Sequence, residues 1–423
     1  MNATELKKLL ANGGLDRYAH LYANPKRQAK RMIGAIDAFC AQYGSDRDIA
    51  LFSVPGRSEI CGNHTDHNHG CVVAGAIDRD IVAVAAKNDD GVIRFHSEGY
   101  PEDVVNLAKV GDPAAFDNAT SSALIAGMAN AFVKNGYAAG GYDAYSTTEV
   151  LKGSGISSSA AFEVMVGNIL NHFYNGTKVD PVSIAKYAQY AENVYFGKPC
   201  GLMDQTACAV GGFVFIDFEN PETPVIEPID FSLTSAGYAL CIVNTGGNHA
   251  NLTPDYAAIP AEMKQVAAAL GKEVLRPISE ETLVAALPSL RGRISDRALL
   301  RALHFVRENK RVQTVRNALK AGDVGAFFDG IRSSGRSSFQ YLQNVYTTAN
   351  VEEQGLSLAL ALTDGFLGDK GAYRVHGGGF AGTIQVFLPL DLADAYCDAM
   401  DKVFGVGSAM PLAIRPVGAT RLF

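Results

Sequence analysis

The sequence predicts an α+β fold in two parts, and three observations carry that prediction. Strand and helix signals are mixed without the regular strand–helix–strand beat of a doubly wound sheet. Hydrophobic residues make up 48% of the 423 positions, which is enough for a sizeable core and too many for a disordered chain. A polar, proline-containing stretch over residues 219–228 (ENPETPVIEP) divides the chain almost in half, predicting one part over residues 1–220 and a second over 221–423.

The elements follow in order. Residues 6–43 space their apolar positions as helices do, with one break at Gly13-Gly14. Residues 50–54 (ALFSV) read as a short strand that Pro55-Gly56 stops. Residues 72–86 (VVAGAIDRDIVAVAA) are rich in β-branched side chains and predict one or two strands after a glycine turn. A helical period with few breakers runs over 119–135, and a strand is expected over 144–150. In LKGSGISSSAAFEVMVGNILNHFY a Gly/Ser loop leads straight into a strong helical pattern. Residues 182–196 continue as helix, and 212–218 and 239–244 as strands. Helices are expected over 257–270, 280–287, 296–321 and 351–362, and strand over 372–388 around the glycine cluster HGGGFAG.

Charge and composition exclude several classes of function. The net charge is −7 and no long Lys/Arg run occurs, so neither nucleic acid nor an anionic membrane surface is expected as a partner. No stretch approaches the 18 or so uncharged apolar residues of a membrane span. The first residues, MNATELKKLLANGG, lack the apolar centre of a signal peptide, and a cytoplasmic location is expected. Seven cysteines without a CxxC pair speak for reduced thiols and against a disulfide framework or structural zinc.

Four segments are built for chemistry. The first is Lys152-Gly153-Ser154-Gly155-Ile156-Ser157-Ser158-Ser159-Ala160. Its glycines allow close backbone approach, and the helix behind it offers free N–H groups and a positive dipole end, as a phosphate cradle requires. A serine-capped helix after a flexible loop is the plainer reading. The second is Pro55-Gly56-Arg57 followed by Gly62-Asn63-His64-Thr65-Asp66-His67-Asn68-His69-Gly70, a turn dense in donors and acceptors. It suits a polyhydroxylated ligand, a metal held by His64, His67 and His69, or simply a solvated loop. The third is Cys200-Gly201-Leu202-Met203-Asp204-Gln205 with Glu192 upstream, where Asp204 is either a helix cap or a functional carboxylate. The fourth is Arg374-Val375-His376-Gly377-Gly378-Gly379-Phe380-Ala381-Gly382, a close-approach segment or a tight bend between strands.

In this order on one chain, the four segments resemble those of the galactokinase-type GHMP sugar and metabolite kinases. Arg57 and residues 62–70 are similar to the family pattern PGR…GEHTDYNGG, and residues 153–160 to G-x-G-L-S-S-S-A. Residues 201–205 resemble GIMDQ, and residues 376–382 resemble TGGGFGG. The matches span residues 55–382. The resemblance implies two α+β lobes with the active site in the cleft between them, and an ATP-dependent kinase acting on the anomeric hydroxyl of galactose or a close relative. It implies that Asp204 is the catalytic carboxylate, which accepts or orients the hydroxyl proton, with Arg57 beside it. Gly153, Ser154, Gly155, Ile156, Ser157, Ser158 and Ser159 would cradle the ATP phosphates, and Ser158 or Ser159 with Glu192 would hold Mg2+. Asn63, His64, Asp66 and Tyr256 would join Arg57 and Asp204 in holding the sugar. Partners beyond sugar and ATP are not implied, and a monomer or weak homo-oligomer is expected.

The sugar motif departs from the family at three places: Asn63 stands for the usual glutamate, His67 for tyrosine and His69 for glycine. The family's glutamate is expected to meet the sugar's C6 hydroxyl. Asparagine there would tolerate a 6-carboxylate, so galacturonic acid or a pentose such as arabinose is an alternative substrate. A second alternative is a non-catalytic sensor that binds sugar and ATP.

Overall fold

The computed structural model describes residues 1–22, 24–150, 155–247 and 252–423. The chain begins with α1 (Ala3–Ala11), α2 (Pro25–Tyr43), β1 (Ala50–Cys61), β2 (Cys71–Lys87), β3 (Val92–Ser97) and β4 (Glu102–Asn106). It continues through α3 (Ser121–Lys134), β5 (Tyr142–Thr148), α4 (Ser158–Tyr174), α5 (Pro181–Tyr190) and α6 (Met203–Val210) to β6 (Phe213–Asp217), β7 (Val225–Ile229) and β8 (Tyr238–Asn244). A helical run follows: α7 (Thr253–Ala269), α8 (Glu280–Leu290), α9 (Asp296–Ala321), α10 (Val324–Ser337) and α11 (Gly355–Leu367). The chain closes with β9 (Ala372–Val375), β10 (Thr383–Pro389), α12 (Ala393–Phe404), β11 (Ala409–Leu412) and β12 (Thr420–Arg421). The fold is therefore mixed helix and sheet. No helix among the described residues is long and apolar enough to cross a membrane.

Two compact units are assembled from these elements, each from several stretches of sequence. Unit 1 comprises residues 1–57, 76–212 and 415–423, and unit 2 comprises 58–75 and 213–414. The chain thus changes unit four times, at 57/58, 75/76, 212/213 and 414/415. The sequence reading placed a single cut near residue 220. The change at 212/213 lies near that cut, and the other three have no counterpart in it.

In unit 1 the neighbours along the sheet are β12, β1, β2, β5, β3 and β4, with β3 and β5 parallel. Helices α1 and α2 cover it, packing Leu6, Met32, Ile36 and Phe39 against Leu51, Val82 and Val84. In unit 2 the start of β2 pairs with β6, which pairs with β7. A separate sheet in the order β11-β8-β10-β9 packs its Val243, Ile384 and Val386 against Leu356 and Ala359 of α11 and Tyr396 of α12.

Two local differences from the sequence reading have physical causes. β1 does not stop at Pro55 but runs to Cys61. Leu51 and Arg57 both turn their N–H groups to the same edge, toward Phe423 and Ile156, so Pro55, of the same parity, faces that edge too. β12 pairs only Phe52 and Ser53 there, so the missing N–H of Pro55 leaves no ladder bond unmade. Of the one or two strands expected over residues 72–86, the structure has one, over 71–87. The helix expected over 182–196 changes at Ala191 into a π-helical turn, Ala191–Phe196, which carries Glu192.

Candidate active site

Two clusters hold the residues singled out by the sequence, one in each unit. In unit 1, Arg57 at the end of that unit's part of β1 meets Asp204 at the start of α6. The contact is bidentate, Nε to Oδ1 at 2.7 Å and Nη2 to Oδ2 at 2.7 Å. The third guanidinium nitrogen, Nη1, donates to the Gly155 carbonyl at 2.5 Å, and the Arg57 backbone N–H donates to the Ile156 carbonyl at 3.1 Å. Gly56 makes this approach possible, because a Cβ there would lie 2.6 Å from the Ile156 oxygen.

Ser157 caps α4 in the left-handed region, with φ +62°, and makes no side-chain cap bond. Its hydroxyl donates instead to Asp204 Oδ2. A non-glycine residue held there is strained, and the Asp204 contact is what its orientation serves. Burial alone would raise the Asp204 carboxyl. The Arg57 guanidinium and the Ser157 hydroxyl outweigh it and hold that carboxyl below the usual aspartate range.

Behind Asp204 lies a second carboxylate pair. Glu192 is 3% exposed, with Oε1 3.3 Å from Lys198 Nζ and Oε2 accepting from Gln205 Nε2 at 2.9 Å. The same Gln205 nitrogen reaches Glu163 Oε2 at 3.3 Å. Glu163 is fully buried, and its Oε1 has no partner. Burial first, and the Glu192 charge second, push the Glu163 carboxyl well above the usual range. Ser158 and Ser159 open α4, and no contact between them and Glu192 is recorded among the described residues. Lys152, Gly153 and Ser154 lie outside the described residues.

In unit 2 the sugar motif and the Gly377–Gly379 segment come together. Asn63 Nδ2 donates to the Gly377 carbonyl at 2.7 Å, and His64 Nε2 lies 3.0 Å from the Gly378 carbonyl. The Tyr256 hydroxyl donates to the Gly379 carbonyl at 2.9 Å. Burial, and then His67, pushes the His64 imidazole down to about 4, so it is neutral near pH 7 and donates from Nε2. At Gly379, φ is +81° and a Cβ would fall 2.0 Å from the Asn344 carbonyl, so only glycine fits. Asp66 stands apart from this convergence. It starts a one-turn 3-10 helix, Asp66–Asn68, and its Oδ1 accepts from the His67 N–H.

Four further residues hold the motif from a distance in sequence; sequence reasoning counted Arg374 in the fourth segment and gave the other three no role. His304 Nε2 lies 2.9 Å from the Asn63 carbonyl, and Glu308 Oε1 accepts from the Gly62 and Asn63 N–H groups at 3.2 and 3.4 Å. Asn344 donates to Asn63 Oδ1 at 2.7 Å, and Arg374 Nη2 donates to Glu59 Oε1 at 2.8 Å. The one available signal was spacing: Arg301, His304, Glu308 and Arg311 recur at the three- and four-residue steps of one helical face.

Comparison with known proteins shows the family to which the chain belongs. The signature described as GHMP kinases N terminal domain matches residues 121–212, and the galactokinase galactose-binding signature matches 37–87. A galactokinase of Pyrococcus furiosus is 29% identical over 356 residues, 82% of this chain and 91% of that one. Lactococcus lactis galactokinase, solved with galactose, superposes with a TM-score of 0.76 at 24% identity over 91% of this chain and 98% of its own. A mevalonate kinase superposes at 0.60 with 14% identity over 86% of this chain and 98% of its own, so the fold is that of the GHMP kinases. A galactokinase of Streptomyces coelicolor is 32% identical over 396 residues, covering 91% of this chain and 97% of the relative, and by that likeness the chain belongs to the galactokinase family.

Proposed function

We propose that this chain transfers the γ-phosphoryl group of ATP to the anomeric hydroxyl of galactose. The observation that carries the reading is the Arg57–Asp204–Ser157 cluster: an aspartate kept ionised by a bidentate arginine, at the mouth of the Gly/Ser loop. Galactokinase relatives along nearly the whole chain support the same substrate. Asp204 takes or orients the proton of the sugar hydroxyl. Arg57 keeps Asp204 in its charged form and stabilises charge on the transferring group. The segment from Gly153 to Ser159 cradles the phosphates, with Gly155 and Ile156 already tied to Arg57.

Magnesium fits the donor set. Ser158, Ser159 and Glu192 offer hard oxygens, Mg2+ with a nucleotide needs only one or two protein ligands, and the orphaned Glu163 oxygen lies one amide away. Bound there, the ion would neutralise charge on the phosphates. His64, Asp66 and Tyr256, with Arg57 and Asp204, bind the sugar, while the Asn63 amide braces the Gly377 carbonyl beside them. Residues 1–220 then carry the sugar motif, phosphate loop and catalytic pair, and 221–423 supply Tyr256 and the glycine segment. The enzyme is read as cytoplasmic, consistent with seven free thiols, and as a monomer or weak homo-oligomer.

Neither alternative gains support. An altered sugar was argued from Asn63, yet that amide is bound wholly within the protein, leaving no free group to greet a carboxylate. A sensor needs no Asp204 held ionised.

The test is ADP release from Mg-ATP over galactose, galacturonic acid, arabinose, glucose and N-acetylgalactosamine, with Asp204→Asn as control. Galactose should give the highest kcat/KM, and Asp204→Asn should lower kcat by about 10³-fold with the KM for ATP little changed. Folded protein that binds ATP and galactose without turnover would overturn the reading in favour of a sensor.

A further inference from the structure

We infer that Glu59, not Asn63, presents the acceptor that reads a hydroxyl of the sugar and excludes an acidic one. This deepens the galactose-kinase reading and rests on it. An asparagine side chain offers two N–H donors and two acceptor sites. Asn63 has all of them engaged: Nδ2 donates to Glu59 Oε1 at 3.2 Å and Gly377 O at 2.7 Å, and Oδ1 accepts from Asn344 at 2.7 Å and Ser338 at 3.4 Å. A sugar could engage this amide only by breaking that network.

Glu59 stands four residues earlier on β1, between the two halves of the motif, and is 7% exposed. Its Oε1 is taken by Asn63 and by Arg374, whose side chain is fully buried. Its Oε2 has no hydrogen bond among the described residues and is not among the atoms sealed from solvent without a partner. A carboxylate offers about four acceptor sites, and here the two on Oε2 remain. The Arg374 pair and the Asn63 amide fix the plane of the carboxylate, so Oε2 is a rigid acceptor rather than a swinging one. Such an oxygen accepts from a hydroxyl and repels a carboxylate. The charge absent at position 63 is thus present at 59, and a uronic acid is disfavoured for a reason the sequence alone concealed.

The experiment measures kcat/KM for galactose, its 2-, 3-, 4- and 6-deoxy forms and galacturonic acid, in the wild type and in Glu59→Gln and Glu59→Asp. In the wild type, deletion of one hydroxyl should cost about 10- to 100-fold, and in Glu59→Gln the same deletion should cost less than about threefold. Glu59→Gln should also raise galacturonic acid relative to galactose by about tenfold or more. Glu59→Asp keeps the charge beside Arg374 while withdrawing the oxygen by one methylene, so it serves if the amide variant does not fold. Its penalty should fall on that same hydroxyl. Equal losses on every sugar in the folded variants would mean a merely structural glutamate and would overturn the inference. No turnover of any sugar by the wild type would overturn the kinase reading, and the role of Glu59 with it.

Discussion

Asp204 and Glu163 are carboxylates of one neighbourhood whose acidity is pushed in opposite directions by what surrounds them. Asp204 has a guanidinium on both oxygens, whereas Glu163 has an amide on one oxygen and nothing on the other. The first is pulled below the ordinary range by Arg57 against its burial, and the second is pushed above it by burial and by Glu192. A consequence follows for stability. Between the ordinary glutamate value and the raised one, the folded chain keeps a proton on Glu163 that the unfolded chain has released, so this group's contribution falls as pH rises. Glu163→Gln removes the titration while keeping the shape. Its melting temperature should therefore gain on the wild type as pH is raised from about 5 to 8, and melts across that range check it. A difference that stays flat, or shrinks with rising pH, would show Glu163 to be ionised in the fold. Of these residues, Asp204 and Arg57 were legible in the sequence because a known motif surrounds each. Glu163 was not, since an acidic residue in a helical stretch reads as solvated until the packing of α4 on α6 is known.

At the scale of elements, α9 determines how the sugar motif is held. Its sequence looks like an ordinary charged helix, yet Arg301, His304 and Glu308 are all buried. His304 donates to the Asn63 carbonyl from Nε2, and with the ring neutral its Nδ1, 2.9 Å from the Ser337 hydroxyl, accepts from it. Burial accordingly pushes its pKa down to about 4, and Glu308, despite its burial, is drawn down to about 2, chiefly by Arg311. Both shifts act in the same sense. From about pH 6.5 down to about 4 the unfolded chain binds a proton that His304 cannot, and below about 4.5 the unfolded chain protonates a glutamate that stays ionised at Glu308. Stability should fall with acidification, by on the order of 3 kcal/mol through the histidine alone. In His304→Gln the fall in melting temperature between about pH 7 and 4.5 should be much shallower, even if the variant starts lower. A variant that follows the wild-type slope would assign the acid sensitivity elsewhere. The helix itself was legible from periodicity. Its buried polar face was not, because the Gly62 and Asn63 backbone groups that it holds are more than two hundred residues away in sequence.

At the scale of the whole molecule, the sequence revealed the mixed fold and the four chemical segments, and it concealed how the chain is divided. A composition break such as residues 219–228 marks one crossing. The crossing inside β2 leaves no such mark, because the strand stays apolar through it, and the crossing inside β1 follows Pro55-Gly56, which reads as the end of a strand rather than as a change of unit. That connectivity has a consequence for unfolding. Neither unit is a contiguous stretch, and both draw on β1 and β2, so the loss of either strand removes part of both. The two units should therefore unfold in one transition. The cysteines report on this directly, since all seven are free and four are buried: Cys208 in unit 1, and Cys61, Cys71 and Cys241 in unit 2. Of the partly exposed thiols, Cys397 is drawn down by its contact with Cys241, 4.0 Å away, whereas burial raises Cys40 and Cys200. Cys397 should react first with a disulfide reagent in the native protein, because the thiolate is the reactive form. As denaturant is added, Cys208 and Cys61 should become reactive at the same concentration, read by mass mapping of the labelled peptides. Labelling of one well before the other would show that a unit opens alone, and that the strands crossing between the units do not bind their stabilities together.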